Sequence, residues 1–244
     1  MKPGTSPNRV ADLTWDRVAE RLAEGATAIL PIGAGAKQHG LHMRMSTDQV
    51  FAEYFAGALA ENMDALIWPT LAYGAYPAIV AYAGSASLSD ETFQRVVTEI
   101  ADVLLGFGAR HVLILDTGLS TLKPVAAAIH AASDPSRLRH LKVFAGPRFV
   151  ETARRIQQQP YGSHADEIET SLMLVIAPEL VDMGRAEPSP FSPAGPSAGP
   201  LSPSDPKSPN YSPSGSFGDP TLASTEKGRM LLTAILEDLA EMSV

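Results

Sequence analysis

Cysteine is absent from all 244 residues of this chain. Its absence excludes disulfide bonds, thiolate metal ligands and a cysteine nucleophile, and it is compatible with a reducing compartment. Basic residues are also few, because 19 lysines and arginines stand against 27 aspartates and glutamates, for a formal net charge of −8. This balance argues against nucleic acid or an anionic membrane as the main partner.

Long hydrophobic runs are missing as well. No apolar stretch approaches the roughly 20 residues of a transmembrane helix. The polar opening MKPGTSPNR lacks the apolar centre of a signal peptide. We therefore expect a soluble, cytoplasmic protein, and its apolar content of 45% is sufficient for a sizeable core.

The remaining sequence alternates between short apolar runs and stretches with helical periodicity. The runs predict strands at 27–32, 65–70, 111–116 and 141–146. The periodic stretches predict helices at 13–24, 48–63, 90–105, 122–132, 166–177 and 223–242. Strands separated by helices predict an α/β fold, a three-layer sandwich in which helices cover both faces of a mostly parallel sheet.

Residues 188–220 differ sharply in composition and hold ten of the chain's twenty prolines, together with nine serines. So many prolines prevent a helix or a sheet from running through the segment. A flexible linker is one interpretation. Because the segment lies inside the domain and contains Phe191, Tyr211 and Phe217, we favour an ordered arm that lies over a neighbour or over the site.

One glycine-rich loop concentrates candidate metal ligands. The stretch LPIGAGAKQHGLHMRMSTD, residues 30–48, follows the first predicted strand and contains His39, His42 and Asp48. Imidazole and carboxylate groups are ligands that zinc, manganese or iron use in proteins. Loops beyond the carboxyl ends of strands are where open α/β sheets build their sites. The alternative is that these are ordinary surface residues of a loop.

Four blocks of sequence, taken in order, resemble the creatininase family of metal-dependent amidohydrolases. The loop above is similar to the family's LPxGSxEQHGPHLPxxTD, and LAYGAYPAIVAYAGSASLSDETF is similar to its YG, PGTxSL and ET stretch. HADEIETSLMLVIAPELVDM resembles HAGxxETSxML followed by PELV. SGSFGDPTLASTEKGRMLL resembles the family's GDPxxAxxEKG ending. The chain is therefore identified as a divergent member, with residues 1–244 forming one creatininase-like domain.

The resemblance implies a creatininase-type sandwich, assembly into hexamers, and a two-metal centre that activates water for attack on an amide. His39 and Asp48 fall on the family's histidine ligand and its bridging aspartate. Lys37 falls where the family has a glutamate, with Gln38 beside it, and neither replaces a carboxylate.

A second departure follows the third strand, where the family typically reads NGHGGN or NGHxEN. This chain reads DTGLST, which puts Gly118 at the histidine position and Ser120 at the glutamate position. We therefore expect no dinuclear centre of the family's design, and at most one metal ion per chain.

The HADEIET segment supplies further candidates. By resemblance, His164 is a catalytic residue that protonates the leaving nitrogen or binds the oxyanion, and Glu169 matches the glutamate of ETS. Asp166 and Glu169 are predicted metal ligands beside His39 and Asp48. Acidic residues in the first turn of a helix also complement its dipole, which is the alternative for Asp166.

Other positions carry weaker predictions. Asp116, at the end of the third strand, is a candidate acid or base. His42, Tyr73 and Ser85 are candidate substrate contacts, and His42 could instead fix the loop by a hydrogen bond. His111, His130 and His140 are expected to be structural or solvated.

Three functions follow from these observations. The first is a hydrolase of a small cyclic or linear amide that uses one divalent metal, with His164 as proton donor. The second is a family member without metal that binds a small molecule or serves as an oligomeric scaffold. The third is a non-hydrolytic enzyme in which Asp116 and His164 do acid and base work.

Overall fold

A computed structural model describes residues 7–190 and 199–243. Within these ranges the chain forms one parallel sheet with strand order β2-β1-β3-β4. The strands are β1 (Thr27–Ile32), β2 (Ala65–Ile67), β3 (Val112–Asp116) and β4 (Leu138–Lys142). The helices are α1 (Trp15–Ala23), α2 (Thr47–Ala60), α3 (Asp90–Gly106), α4 (Leu122–Ala131), α5 (Pro147–Ile156), α6 (Glu167–Ile176) and α7 (Thr225–Met242). None of these helices has the length and apolar character that crossing a membrane demands.

Every residue of β1 and β3 is buried, because helices cover both faces of the sheet. Side chains of a strand alternate between faces, so Ile29 packs into one core and Leu30 into the other. The first core is completed by α2, α5, α6 and α7, and the second by α1, α3 and α4. The predicted three-layer α/β sandwich is therefore confirmed.

Most predicted elements appear within a few residues of their expected ends, but the fourth strand was predicted wrongly. Its apolar run at 141–146 only begins in β4, and Val143–Ala145 form a single 3-10 turn. Val143 is buried without belonging to a strand, so the apolar pattern marked burial rather than extended backbone. Helix α5 was missed, because it is rich in charged residues and Phe149 is its single buried residue.

The Pro/Ser-rich arm, defined as residues 188–220, lies against the domain in its described part. Leu201 N–H donates to the carbonyl of Ala78 at 2.8 Å. The Gln38 amide donates to the carbonyl of Gly215 at 2.9 Å. Phe191, named above as an arm aromatic, lies outside the described residues. Because proline has no N–H, the arm is held through the amides and carbonyls of its other residues.

Close packing of α6 against α7 depends on Gly228, and we expect Gly228→Ala to lower the free energy of unfolding. A Cβ atom there would lie 2.0 Å from the carbonyl oxygen of Ser171, so the helices would have to separate. The expected loss is about 1–3 kcal/mol, measured by urea unfolding.

The matched control is Gly57→Ala in α2, where no atom lies within 4 Å of the added Cβ. It should instead add about 0.5–1 kcal/mol, because alanine restricts the unfolded chain more than glycine does. Equal effects of the two substitutions would contradict the packing explanation.

Candidate active site

The candidate site lies at the carboxyl ends of β1 and β3, the two central strands of the sheet. The chain leaves β1 towards β2 on one side and leaves β3 towards β4 on the other. Diverging connections open a crevice at this point in α/β sheets. The loop after β1 supplies Lys37 and His39, and the first turn of α2 supplies Asp48.

Asp48 is fully buried and joins two basic groups. Its Oδ1 lies 2.9 Å from His39 Nε2, and its Oδ2 accepts a hydrogen bond from Lys37 Nζ at 2.8 Å. The Lys37 side chain is only 12% exposed and lies over the Tyr76 ring, 5.3 Å from its centre. Lys37 therefore turns into the crevice and places an ammonium group beside Asp48.

The protonation of this pair follows from its surroundings. Burial opposes ionisation of Asp48, but the Lys37 ammonium and His39 outweigh it and lower the pKa of Asp48 below its ordinary value. Burial also disfavours the charged form of Lys37, yet Asp48 and Glu169 raise its pKa above the ordinary value. The two groups consequently form an ion pair around neutral pH.

His164 is positioned by the arm. Phe217 N–H donates to the His164 carbonyl at 2.8 Å, and Ser163 N–H donates to the Phe217 carbonyl at 3.0 Å, as in an antiparallel bridge. The next residue, Ala165, has a φ of 48°, a left-handed conformation that is rare for alanine. Strained backbone of this kind is frequent beside functional groups.

His39, His164 and Glu169 form the group best suited to a metal among the described residues. One donor atom from each lies within 4.8 Å of the others. His39 Nδ1 donates to the Lys37 carbonyl at 3.0 Å, and His164 Nε2 donates to the Gln38 carbonyl at 2.8 Å. Backbone carbonyls commonly orient metal-binding histidines in this way. The other ring nitrogen of His164, Nδ1, faces Glu169, whereas the other ring nitrogen of His39, Nε2, lies 2.9 Å from Asp48 Oδ1 and must leave that carboxylate to bind an ion.

Glu169 completes the group from α6. Burial raises the pKa of Glu169 to about 7, against the opposing influence of His39 and Lys37. Its Oε2 accepts from Ala165 N–H at 2.6 Å and lies 3.7 Å from His164 Nδ1. A carboxyl group that costs free energy to ionise gains a partner when a cation binds beside it.

Asp166, a predicted ligand, occupies a capping position instead. Its Oδ1 accepts from the N–H groups of Ile168 and Glu169 at 3.0 Å each, and its Oδ2 accepts from Gln159 Nε2 at 2.7 Å. Asp166 is thus the N-cap of α6. This role is close to the alternative given for Asp166, in which an acidic residue at the start of the helix complements the helix dipole. It does not belong to the donor group described above.

Both carboxylate oxygens of Asp116, the predicted acid or base, have hydrogen-bond partners. Its Oδ1 accepts from Gly118 N–H at 2.9 Å and from the Thr121 hydroxyl at 2.6 Å. Its Oδ2 lies 3.0 Å from His140 Nε2, a partner that the sequence did not indicate. These contacts fix the turn after β3, and the catalytic role of Asp116 stays a prediction.

The same turn explains the two unusual positions after β3. A Cβ atom on Gly118 would lie 2.2 Å from Thr121 Oγ1, so no side chain fits there in this conformation. Ser120 instead donates its hydroxyl to the Ala75 carbonyl at 2.7 Å. The β3 loop therefore presents neither an imidazole nor a carboxylate where the family pattern has them.

The three predicted substrate contacts have other surroundings. His42 is buried, and its Nε2 bonds to the Thr170 hydroxyl at 2.8 Å, while its Nδ1 has no partner. Ser85 Oγ accepts from Gln38 N–H at 3.1 Å and so supports the loop. Tyr73 is largely exposed. None of the three lines the cavity described next, and their contact with substrate stays a prediction.

A cavity of about 310 Å³ opens onto the donor group. Its polar end is formed by Lys37, His164 and Glu169. Its other walls are mainly apolar and include Ile79 of the domain together with Leu201 and Phe217 of the arm. Sequence reasoning missed Ile79 and Leu201, whereas Phe217 was one of the aromatics from which an ordered arm was predicted. The three arm aromatics were the only signal, since apolar side chains in a polar segment need a surface to cover them.

Comparison with known proteins places this arrangement in a family. A family model described as creatinine amidohydrolase matches residues 11–243. The chain belongs to the creatininase family. The membership predicted from the four sequence blocks is therefore confirmed.

Relatives within the creatininase family act on different compounds. Creatinine amidohydrolase of Pseudomonas putida is 29% identical over 251 residues, which cover 95% of this chain and 94% of the relative. Mycofactocin precursor peptide peptidase of Mycobacterium ulcerans is 25% identical and covers 96% and 87%. A 3-dehydro-scyllo-inosose hydrolase of Thermotoga maritima is 26% identical and covers 94% and 80%. All three names describe hydrolases.

Solved creatininase structures share the fold. One described as creatininase Mn superposes with a TM-score of 0.79 at 25% identity, over 96% of both chains. A mutant creatininase of Zn-Zn type gives the same TM-score at 25% identity, over 98% of this chain and 97% of that one. The creatininase-like fold class is thereby confirmed.

The buried His42 should make stability depend on pH. Burial, with a smaller contribution from His39, lowers the pKa of His42 to about 4 from an ordinary value of 6.5. As the pH falls through this window, the unfolded chain takes up a proton that the folded chain resists, so stability is lost. Between about pH 7.5 and pH 4, we expect the free energy of unfolding of His42→Gln to fall by roughly 2 kcal/mol less than that of the unchanged protein.

The measurement is urea unfolding of both proteins at the two pH values. His130→Gln serves as the control, because His130 is exposed on α4 and should leave the pH dependence intact. The lowered pKa of His164 contributes equally to all three proteins and cancels in the comparison. An unchanged pH dependence in His42→Gln would contradict the assignment.

Proposed function

We propose that this chain is a hydrolase of amide or related C–N bonds that uses one divalent metal ion. The observation that supports it is the donor group of His39, His164 and Glu169, in which both imidazoles are already oriented by backbone carbonyls. Two histidines and one carboxylate suit zinc, manganese or iron. When bound, such an ion polarises a carbonyl and lowers the pKa of water.

The proposal changes three of the predicted roles. His164 moves from proton donor to metal ligand, because its Nδ1 faces Glu169 while its Nε2 is bonded to Gln38. Asp166 gives up its predicted ligand role to cap α6. His39 and Glu169 keep their predicted roles. Asp48 gives up its predicted ligand role and pairs with Lys37, while His39 Nε2 exchanges its contact with Asp48 for the ion.

Lys37 supplies a fixed positive charge at the polar end of the cavity. One of its three N–H groups is bonded to Asp48, which leaves others to donate to a substrate oxygen. Negative charge develops on the carbonyl oxygen as water adds, and a positioned ammonium group stabilises it. Ser120 and Ser163 line the same cavity and can bind other polar groups of the substrate.

One specific observation supports a second candidate, a family member that binds a small molecule without metal. The Lys37 ammonium already compensates Asp48, so that carboxylate needs no metal to be stable when buried. The non-hydrolytic alternative has less support, because both Asp116 oxygens are engaged with Gly118, Thr121 and His140.

Assembly into a homo-oligomer, a hexamer by family resemblance, stays a prediction. Trp15 and Phe107 are apolar side chains with exposed fractions of 83% and 67%, and they line one surface depression. Exposed apolar groups of this size are frequent at protein interfaces. Sedimentation velocity should give a mass above the 25.9 kDa of one chain, and a monomer at all concentrations would contradict the prediction.

Metal content separates the first proposal from its alternatives. Protein purified without chelator and then supplied with zinc or manganese should hold about one ion per chain by elemental analysis. His39→Ala and Glu169→Gln should each reduce this occupancy strongly, because each removes one donor of the group. Titration of the metal by calorimetry measures the loss without requiring a known substrate.

Two controls make the result specific. His130→Ala removes an exposed histidine of α4 and should not change metal occupancy. Asp166→Asn should retain the metal if Asp166 only caps α6. A wild-type chain that binds no zinc or manganese would overturn the metal-dependent hydrolase and favour the binding protein.

A further inference from the structure

A second cavity adjoins the first on the other side of Glu169. Its volume is about 160 Å³, and its walls include Phe144, Phe149 and Ile168. Leu119, Ser163 and Glu169 line both cavities. These three residues therefore stand between two mainly apolar chambers, and Glu169 is the member of the donor group that lies at their junction.

The two chambers are built by different parts of the chain. The larger one lies between Ile79 and the arm residues Leu201 and Phe217. These side chains form a small apolar cluster that is separate from the two cores of the sandwich. The smaller one lies between α5, the turn at Val143–Ala145 and the start of α6, so its walls belong to one of the two cores.

From this geometry we infer that the substrate is a linear amide with an apolar group on each side of the scissile bond, an inference that rests on the proposed function. The larger group occupies the arm-covered chamber and the smaller group occupies the chamber beside α5. A small cyclic amide would fill one chamber at most and leave the other apolar surface uncovered. Burying each group removes apolar surface from water, which favours binding.

The reaction at the junction is balanced by water alone. Water adds to the carbonyl carbon, the C–N bond breaks, and a proton passes to the leaving nitrogen. The products are a carboxylic acid and an amine, each carrying one apolar group. Glu169 lines both chambers, and Lys37 and His164 line the larger chamber beside it, so these are the polar groups nearest to a bond held at the junction.

Three probes test the inference on the full chain. Acetamide carries neither an apolar ring nor an apolar branch, benzamide carries an apolar ring, and N-isobutylbenzamide carries both a ring and a branched alkyl group. Ligand-observed NMR reports both their binding and any cleavage in the same sample. We expect the affinity to rise by about tenfold at each step, the gain from burying one further apolar group. Equal affinity for the three probes, or no binding of N-isobutylbenzamide, would overturn the inference.

Two variants fill the chambers separately. Ala78→Leu enlarges a residue that lines only the larger chamber and should abolish the gain from acetamide to benzamide. Ala153→Leu enlarges a residue that lines only the smaller one and should abolish the gain from benzamide to N-isobutylbenzamide. Ala58→Leu is the matched control on α2, lines neither chamber and should keep both gains. Urea unfolding establishes that each variant is folded.

The outcomes distinguish this inference from the proposed function. A chain that binds metal through His39 and Glu169 but does not rank the probes overturns the inference alone. A chain that ranks the probes as expected, loses each gain in the matching variant and binds no metal overturns the metal-dependent hydrolysis. In that case the two-chamber binding site is supported and belongs to a binding protein.

Discussion

The buried carboxylate of Asp48 is the constraint on which the site depends. A charge without water costs several kcal/mol unless it is compensated, so Lys37 and His39 must both approach it. Their approach fixes the loop after β1 against the first turn of α2, where the helix dipole also favours a negative charge. Gly33 permits this contact, because a Cβ atom there would lie 2.3 Å from the Asp48 carbonyl oxygen.

The sheet was predictable from the sequence because its central strands are buried on both faces. The run TAILPI has no surface that needs polar residues, and β1 occupies all of it. The edge strand β4 carries Arg139 and His140, so its pattern was not apolar, and the apolar residues that follow pack without extending the strand. Helix α5 escaped prediction because its charged residues leave no apolar run, although Phe149, Ala153 and Ile156 recur at helical spacing and pack against the core.

The site was only partly readable from the sequence. His39 and Glu169 could be predicted from resemblance, and the structure brings them together with His164. The inward direction of Lys37 depends on backbone geometry that residue types do not reveal, whereas the position of Asp166 at the predicted start of α6 already indicated a role at the helix terminus. The pairing of His164 with Phe217 joins segments far apart in the chain. No local pattern announces such a contact, because the two residues lie far apart in the sequence.

That pairing has a consequence for how such a protein can diversify. The arm shares backbone hydrogen bonds with the strained segment that carries His164, yet its Leu201 and Phe217 side chains belong to neither core. Substitutions at those two side chains can reshape the chamber while the bonds that position the imidazole persist. For the larger chamber, the residues that shape the cavity are thereby distinct from those that build the cores, whereas the walls of the smaller chamber belong to a core and are constrained with it.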